Sequence, residues 1–205
     1  MSIRAKKRWF QFGLQTLLLA MFVICVACAW LAYERDKVRR RQIAIAATVE
    51  SGGTVNFDQN QPFRPPYLQK VLGDTTLGDV RAVRLTGLPV TDADLKHLAD
   101  MTAMEVLMLD ETNITDAGLA YLVRMKRLKL LVLSRTHITD AGTIYLSQLT
   151  ALEGMTLDHT QVSDAGLIHL AALTKLETLG LDHTNVTSDG RNRLREALPN
   201  VLIVE

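Results

Sequence analysis

The 205 residues carry 23 Lys and Arg against 22 Asp and Glu, a formal net charge of +1, so no global field draws the chain to nucleic acid. Apolar residues make up 48% of the chain and aromatics 5%, which suits one modest core with additional segments. The only two cysteines, Cys25 and Cys28, sit together in the most apolar stretch, which leaves the remainder without a disulfide or a thiolate zinc cluster.

The chain opens with a basic tail, residues 1–8, containing Arg4, Lys6, Lys7 and Arg8. Residues 9–33 then hold no charge, and the run from Leu14 to Ala32 is long enough to cross about 30 Å of hydrocarbon as a helix. The expectation is a single transmembrane helix over 9–33, in contact with a lipid bilayer, with Trp9, Phe10, Trp30 and Tyr33 as interfacial anchors. A cleavable signal peptide competes, since Ala27-Cys28-Ala29 has the small-x-small pattern of a cleavage site. A lipoprotein site at Cys28 also competes, although Cys25 stands where an aliphatic residue is wanted. The length of the run and the basic segment that follows it favour an uncleaved signal anchor. Basic residues flank both ends, so the lean towards an extracytoplasmic C-terminal domain rests on the signal-anchor pattern rather than on a charge difference.

Residues 34–51 contain good helix formers and stop at Ser51-Gly52-Gly53, a juxtamembrane helix. Residues 52–79 form a capping segment: a strand over Thr54–Phe57, a turn region, then a short helix from Pro66 to Gly73.

Residues 80–205 repeat every 24 residues: L-x-L, then T-x-[IV]-[TS]-D-A-G-L-x-x-L-x-x-[ML]. Leu107, Leu131, Met155 and Leu179 share one column, and Asp116, Asp140 and Asp164 share another. The units are 80–103, 104–127, 128–151, 152–175 and 176–199, followed by a terminal strand over Val201–Val204 with thin cover on its outer edge. L-x-L alternates with period two, whereas the apolar residues after Ala-Gly fall three apart, so each unit is one short strand and one short helix. The fold class is therefore α/β, a leucine-rich-repeat solenoid with parallel strands on one face and short helices on the other, preceded by a single transmembrane helix. The Asp column is expected to cap its own helix, and the Thr112, Thr136, Thr160 and Thr184 hydroxyls to bond turn backbone along the stack.

The opening Arg8-Trp9-Phe10-Gln11-Phe12-Gly13-Leu14, the Gly52-Gly53 step and Pro66-Tyr67-Leu68 leading to Leu72-Gly73-Asp74 resemble the membrane-anchored leucine-rich-repeat proteins abundant in planctomycete bacteria. The T-D-A-G-L repeats are similar to the ribonuclease-inhibitor-like, cysteine-containing class, with Thr in the Cys/Asn column. That resemblance implies an interaction domain on a membrane anchor, and it leaves the partner open.

Function in such an array belongs to the outward positions of the strands. Val106, Met108, Leu130 and Val132 form an apolar patch there, with Gly154 and Gly180 expected to leave a shallow hollow beside it. Asp110, Glu111, Arg135, Thr156, Asp158, His159, Asp182 and His183 supply the polar positions around a protein partner. An alternative puts a metal-dependent or hydrolytic site on the Asp/His row, since Asp158-His159-Thr160 and Asp182-His183-Thr184 hold the parts of a nucleophile relay. Equivalent positions point the same way along the stack, about 4.8 Å apart, which does not suit converging groups. No enzyme is expected, and nothing calls for a metal, a cofactor, a nucleic acid or a small-molecule substrate.

Overall fold

The computed structural model describes residues 3–50, 52–57 and 80–204, with the side chains of 3–20, 23 and 41 outside the description. Contacts divide the chain into two units that part within the first helix between Arg39 and Arg40, and each unit is taken by itself.

Helix α1 (Ile3–Glu50) is continuous, so 34–51 is not a separate element. In the first unit, Met21, Phe22, Ile24, Val26, Trp30 and Tyr33 are all exposed. Among the described residues no helix is long and apolar enough to cross a membrane. The described part of the expected span, 21–33, runs straight into Glu34, Arg35, Asp36 and Lys37 and falls short of the roughly 20 apolar residues a crossing takes. The rest of that span lies among the side chains outside the description.

The second unit begins with the last turns of α1, which belong to the repeat core. Ala44 and Thr48 are buried, and Ile45 packs against the same cluster. Gly52, at φ 89°, ends the helix in the left-handed conformation that glycine reaches without a Cβ clash, and the Gly52 and Gly53 N–H groups close on the Val49 and Thr48 carbonyls at 3.0 and 2.9 Å. Strand β1 (Thr54–Phe57) then pairs antiparallel with β2 (Val80–Arg84), so the edge of the first repeat is covered by a strand. The turn region and the Pro66–Gly73 helix lie outside the described residues.

From there the chain alternates: α2 (Asp92–Leu98), β3 (Val106–Met108), α3 (Asp116–Leu122), β4 (Leu130–Val132), α4 (Asp140–Leu146), β5 (Gly154–Thr156), α5 (Asp164–Leu170), β6 (Thr178–Gly180), α6 (Ser188–Ala197) and β7 (Leu202–Val204). Sheet order follows chain order, and every pair after β1–β2 is parallel. The register joins Val106, Leu130, Gly154 and Thr178, then Met108, Val132, Thr156 and Gly180, as the 24-residue period requires. Between sheet and helices, the Leu107, Leu131, Met155 and Leu179 column is at most 1% exposed, one continuous core that no single repeat could build.

Two columns behave differently from expectation. The Thr hydroxyls stay within their own turns: Thr112, Thr136 and Thr160 each donate to the carbonyl three residues back, at 2.6 Å, and bind nothing along the stack. The Asp column, in contrast, reaches across repeats. The helix is capped by the preceding hydroxyl, as where Thr139 accepts from the Ala141 N–H, while the carboxylate serves the next repeat. Asp92 accepts from the Thr115 N–H at 2.8 Å and from its hydroxyl at 2.6 Å, and Asp116 and Thr139 repeat the same pair of distances. Asp140 does likewise for Ser163 and also receives the Gly166 N–H at 3.1 Å. Asp164 closes the series on Thr187. The hydroxyl and N–H of Thr187 hold the Asp164 carboxyl below the ordinary carboxylate range, with Arg193 and Arg191 helping.

The glycine two residues after each Asp makes room for this. A Cβ at Gly118, Gly142, Gly166 or Gly190 would collide with the carboxylate arriving from the previous repeat. The ends of the series confirm the logic: Asp94 occupies the glycine position of the first repeat, where no earlier Asp arrives, and closes instead on the N–H and hydroxyl of its own Thr91, both at 2.9 Å. Ser188 occupies the Asp position of the fifth repeat. Losing a charged acceptor should cost about 1–3 kcal/mol in Asp140→Ala. Combined with Ser163→Ala in a double-mutant unfolding cycle, it should show coupling of at least about 0.5 kcal/mol; a coupling of zero would return Asp140 to the role of a local cap.

Candidate functional site

The strand face carries four rows set by the register. In the first two, Val106, Met108, Leu130 and Val132 are only half-buried, shielded by one another on adjacent rungs. They lie side by side on adjacent rungs. The hollow beside them is filled: a Cβ at Gly180 would meet the Asp158 carboxylate at 2.7 Å, and one at Gly154 would meet Leu130 Cδ1 at 3.0 Å, so these glycines admit their neighbours' side chains and leave no vacancy.

The third row is Thr86, Asp110, Ser134, Asp158 and Asp182, and it is knitted along the stack. Thr86 donates to Asp110 at 2.8 Å, Asp158 accepts from the Asp182 N–H at 2.9 Å, and the Ser134 hydroxyl lies 2.9 Å from the Thr156 hydroxyl and 3.2 Å from Asp158. Thr156 thus belongs to this network as well as to the second row.

The fourth row is Gly87, Glu111, Arg135, His159 and His183, and it holds a feature with no counterpart in local sequence. Gly87 has φ 69°, and Glu111, Arg135, His159 and His183 have φ between 50° and 58°, four non-glycine residues in the left-handed region on consecutive rungs. The backbone imposes this. The N–H groups of Gly87, Glu111, Arg135 and His159 each donate to a third-row carbonyl of the next repeat, at 2.8 to 2.9 Å, and after Glu111, Arg135 and His159 the chain must turn so that the following Thr can enter the core. A side chain there costs roughly 1–2 kcal/mol over glycine. Neighbours in the row touch: Arg135 pairs with Glu111 at 2.8 Å, and the His159 and His183 rings stack with centroids 4.4 Å apart and an interplanar angle of 30°. His183 Nε2 also lies 3.6 Å from an Asp182 carboxylate oxygen.

The Asp-His-Thr triplets do not form relays. Thr160 is buried with its hydroxyl committed to the Leu157 carbonyl, and Thr184 donates to the Leu181 carbonyl, so neither faces the exposed imidazole beside it. A further charged group that the residue reading did not single out lies at the entry to the strands. Glu105, 19% exposed, meets Arg81, Arg127 and Lys129 at 3.4 to 3.7 Å, and the register of Arg81, Glu105 and Lys129 in one column was the available signal. Among the described residues, clefts elsewhere include one of about 150 Å³ between the end of α1 and the first repeat, near Asp94 and His97, and one of about 210 Å³ between α5 and α6. Neither includes a strand-face residue.

No family model and no curated protein matches the chain. Solved structures do. An internalin C2 from Listeria monocytogenes aligns over 53% of this chain and 44% of its own at 30% identity, with a TM-score of 0.46. A second internalin from that organism aligns over 53% and 36% at 21% identity and 0.39, and a leucine-rich-repeat protein from Leptospira interrogans over 54% and 33% at 19% and 0.40. The chain spans less than half the length of each. The 24-residue period and the parallel strand ladder described above make the fold of residues 80–204 a leucine-rich-repeat solenoid.

If the fourth row is held against its backbone preference, His183→Gly should raise the unfolding free energy by about 0.5–1 kcal/mol in denaturant titration. A fall would show that the row's own contacts outweigh the conformational cost.

Proposed function

We propose that this chain is a membrane-tethered interaction module that grips a protein partner with its strand face. The observation that carries the reading is the half-buried apolar patch of Val106, Met108, Leu130 and Val132, bordered by the polar third row and the charged fourth row. An apolar centre with a polar rim is how protein contact sites are composed, with burial of the centre driving association and the rim setting orientation. Asp110, Glu111, Arg135, Thr156, Asp158, His159, Asp182 and His183 would form that rim. Their fixed spacing favours a preformed surface, which lowers the ordering cost of binding.

The tether rests on composition: the uncharged stretch over residues 9–33, together with the exposed apolar side chains of the described part of α1. A bacterial inner membrane is the compartment this arrangement suits, with the repeat domain on the extracytoplasmic side.

The test uses the tagged full chain, cross-linked in membranes and purified in detergent, beside Met108→Asp/Val132→Asp. A protein captured by the wild type and lost with the double variant, at unchanged melting midpoint and with both chains resisting carbonate extraction, is the expected result. Equal capture by both forms would remove the strand face from the role, and release by carbonate would remove the tether.

A further inference from the structure

We infer that His159, Asp182 and His183 form a binding site for a borderline divalent cation of the Zn²⁺, Ni²⁺ or Co²⁺ kind. One donor atom from each of the three lies within 4.8 Å of the other two. The donors come from adjacent rungs that the backbone locks together: His159 N–H donates to the Asp182 carbonyl at 2.8 Å, and Asp182 N–H donates to the Asp158 carboxylate at 2.9 Å. Main-chain separation is thereby fixed before any ion arrives. With metal–nitrogen bonds of about 2.1 Å, a tetrahedral ion holds its donors about 3.4 Å apart, so the three atoms need to close by up to about 1.4 Å. Both imidazoles and the carboxylate are exposed enough to turn by that much about their own side-chain bonds.

The row itself supplies the second argument. Glu111 and Arg135 meet as opposite charges, which accounts for that contact without any ligand. His159 and His183 meet as like groups, both on a backbone that favours glycine, and their stacked rings bring imidazole nitrogens from adjacent rungs to one place beside the Asp182 carboxylate. A shared cation would tie these donors together. Two nitrogens and one oxygen suit Zn²⁺, Ni²⁺ or Co²⁺ over the all-oxygen preference of Ca²⁺ and Mg²⁺. Three protein donors also leave at least one coordination position for water or for a donor from another molecule. The proposal concerns the chain alone and stands or falls apart from the partner reading.

The experiment is calorimetric titration of the full chain in detergent micelles with Zn²⁺ and Co²⁺, in a Cys25→Ser/Cys28→Ser background so that thiols do not contribute. One equivalent should bind, excess Ca²⁺ or Mg²⁺ should not displace it, and Co²⁺ should develop a visible d–d band. His159→Gln and His183→Gln should each weaken binding by at least about tenfold, since even outer-shell partners of metal ligands are worth 10–100-fold. His97→Gln and His169→Gln serve as controls and should leave binding unchanged. Circular dichroism of each variant separates a lost ligand from a lost fold. Absence of stoichiometric binding, or equal weakening by control and site variants, would overturn the assignment.

Discussion

The repeat array depends on a carboxylate that leaves its own repeat. Asp92, Asp116, Asp140 and Asp164 each bind the N–H and hydroxyl of the residue that opens the next helix, so each repeat completes the helix start of its successor. Hydrophobic columns hold the repeats together but tolerate sliding, because a smooth apolar surface is weakly directional. The carboxylate adds direction. It also explains the composition of the T-D-A-G step, in which the hydroxyl caps locally, the carboxylate reaches forward, and the glycine receives the carboxylate from behind. Each residue answers to a different repeat.

That registration fixes the strand face. With rungs aligned residue for residue, the outward positions become straight rows in which neighbours interact by type: apolar on apolar at Val106 and Leu130, hydroxyl on carboxylate at Thr86 and Asp110, anion on cation at Glu111 and Arg135. The fourth row gains a further property from its left-handed backbone, since side chains are kept where glycine would be more stable.

The period, the strand register and the core columns were all legible in the sequence, because a motif recurring every 24 residues aligns its own contacts. The Asp role was not. Cap chemistry is read from neighbours within one helical turn, and nothing local distinguishes a carboxylate that closes its own helix from one whose donors lie 23 residues on. The clues were the exceptions at the ends, Asp94 in the glycine column and Ser188 in the Asp column. The left-handed row was hidden for a related reason: glycine is the ordinary signal of positive φ, and only Gly87 carries it. Residues 34–51 were expected as a juxtamembrane helix, and Ala44 and Thr48, one turn apart, are the small residues that let the end of α1 pack on the first repeat. The strand-face rows follow the 24-residue register, and the Asp/His row was legible as a candidate donor set, while the choice of Asp182 over Asp158 beside His159 and His183 came from side-chain geometry.

The most direct measurement of the central claim is the stability of Gly166→Ala in two backgrounds. An alanine inside a helix ordinarily gains up to about 1 kcal/mol over glycine, but here its Cβ falls 2.5 Å from the incoming Asp140 carboxylate, and overpacking of that kind costs about 1–3 kcal/mol. Gly166→Ala should therefore destabilise the wild type. In an Asp140→Ala background, where only Thr143 and Val162 remain close at 3.1 Å, the same substitution should become neutral or mildly stabilising. An equal loss in both backgrounds would mean that the glycine column serves helix packing alone, and that the forward-reaching carboxylate does not set the repeat register.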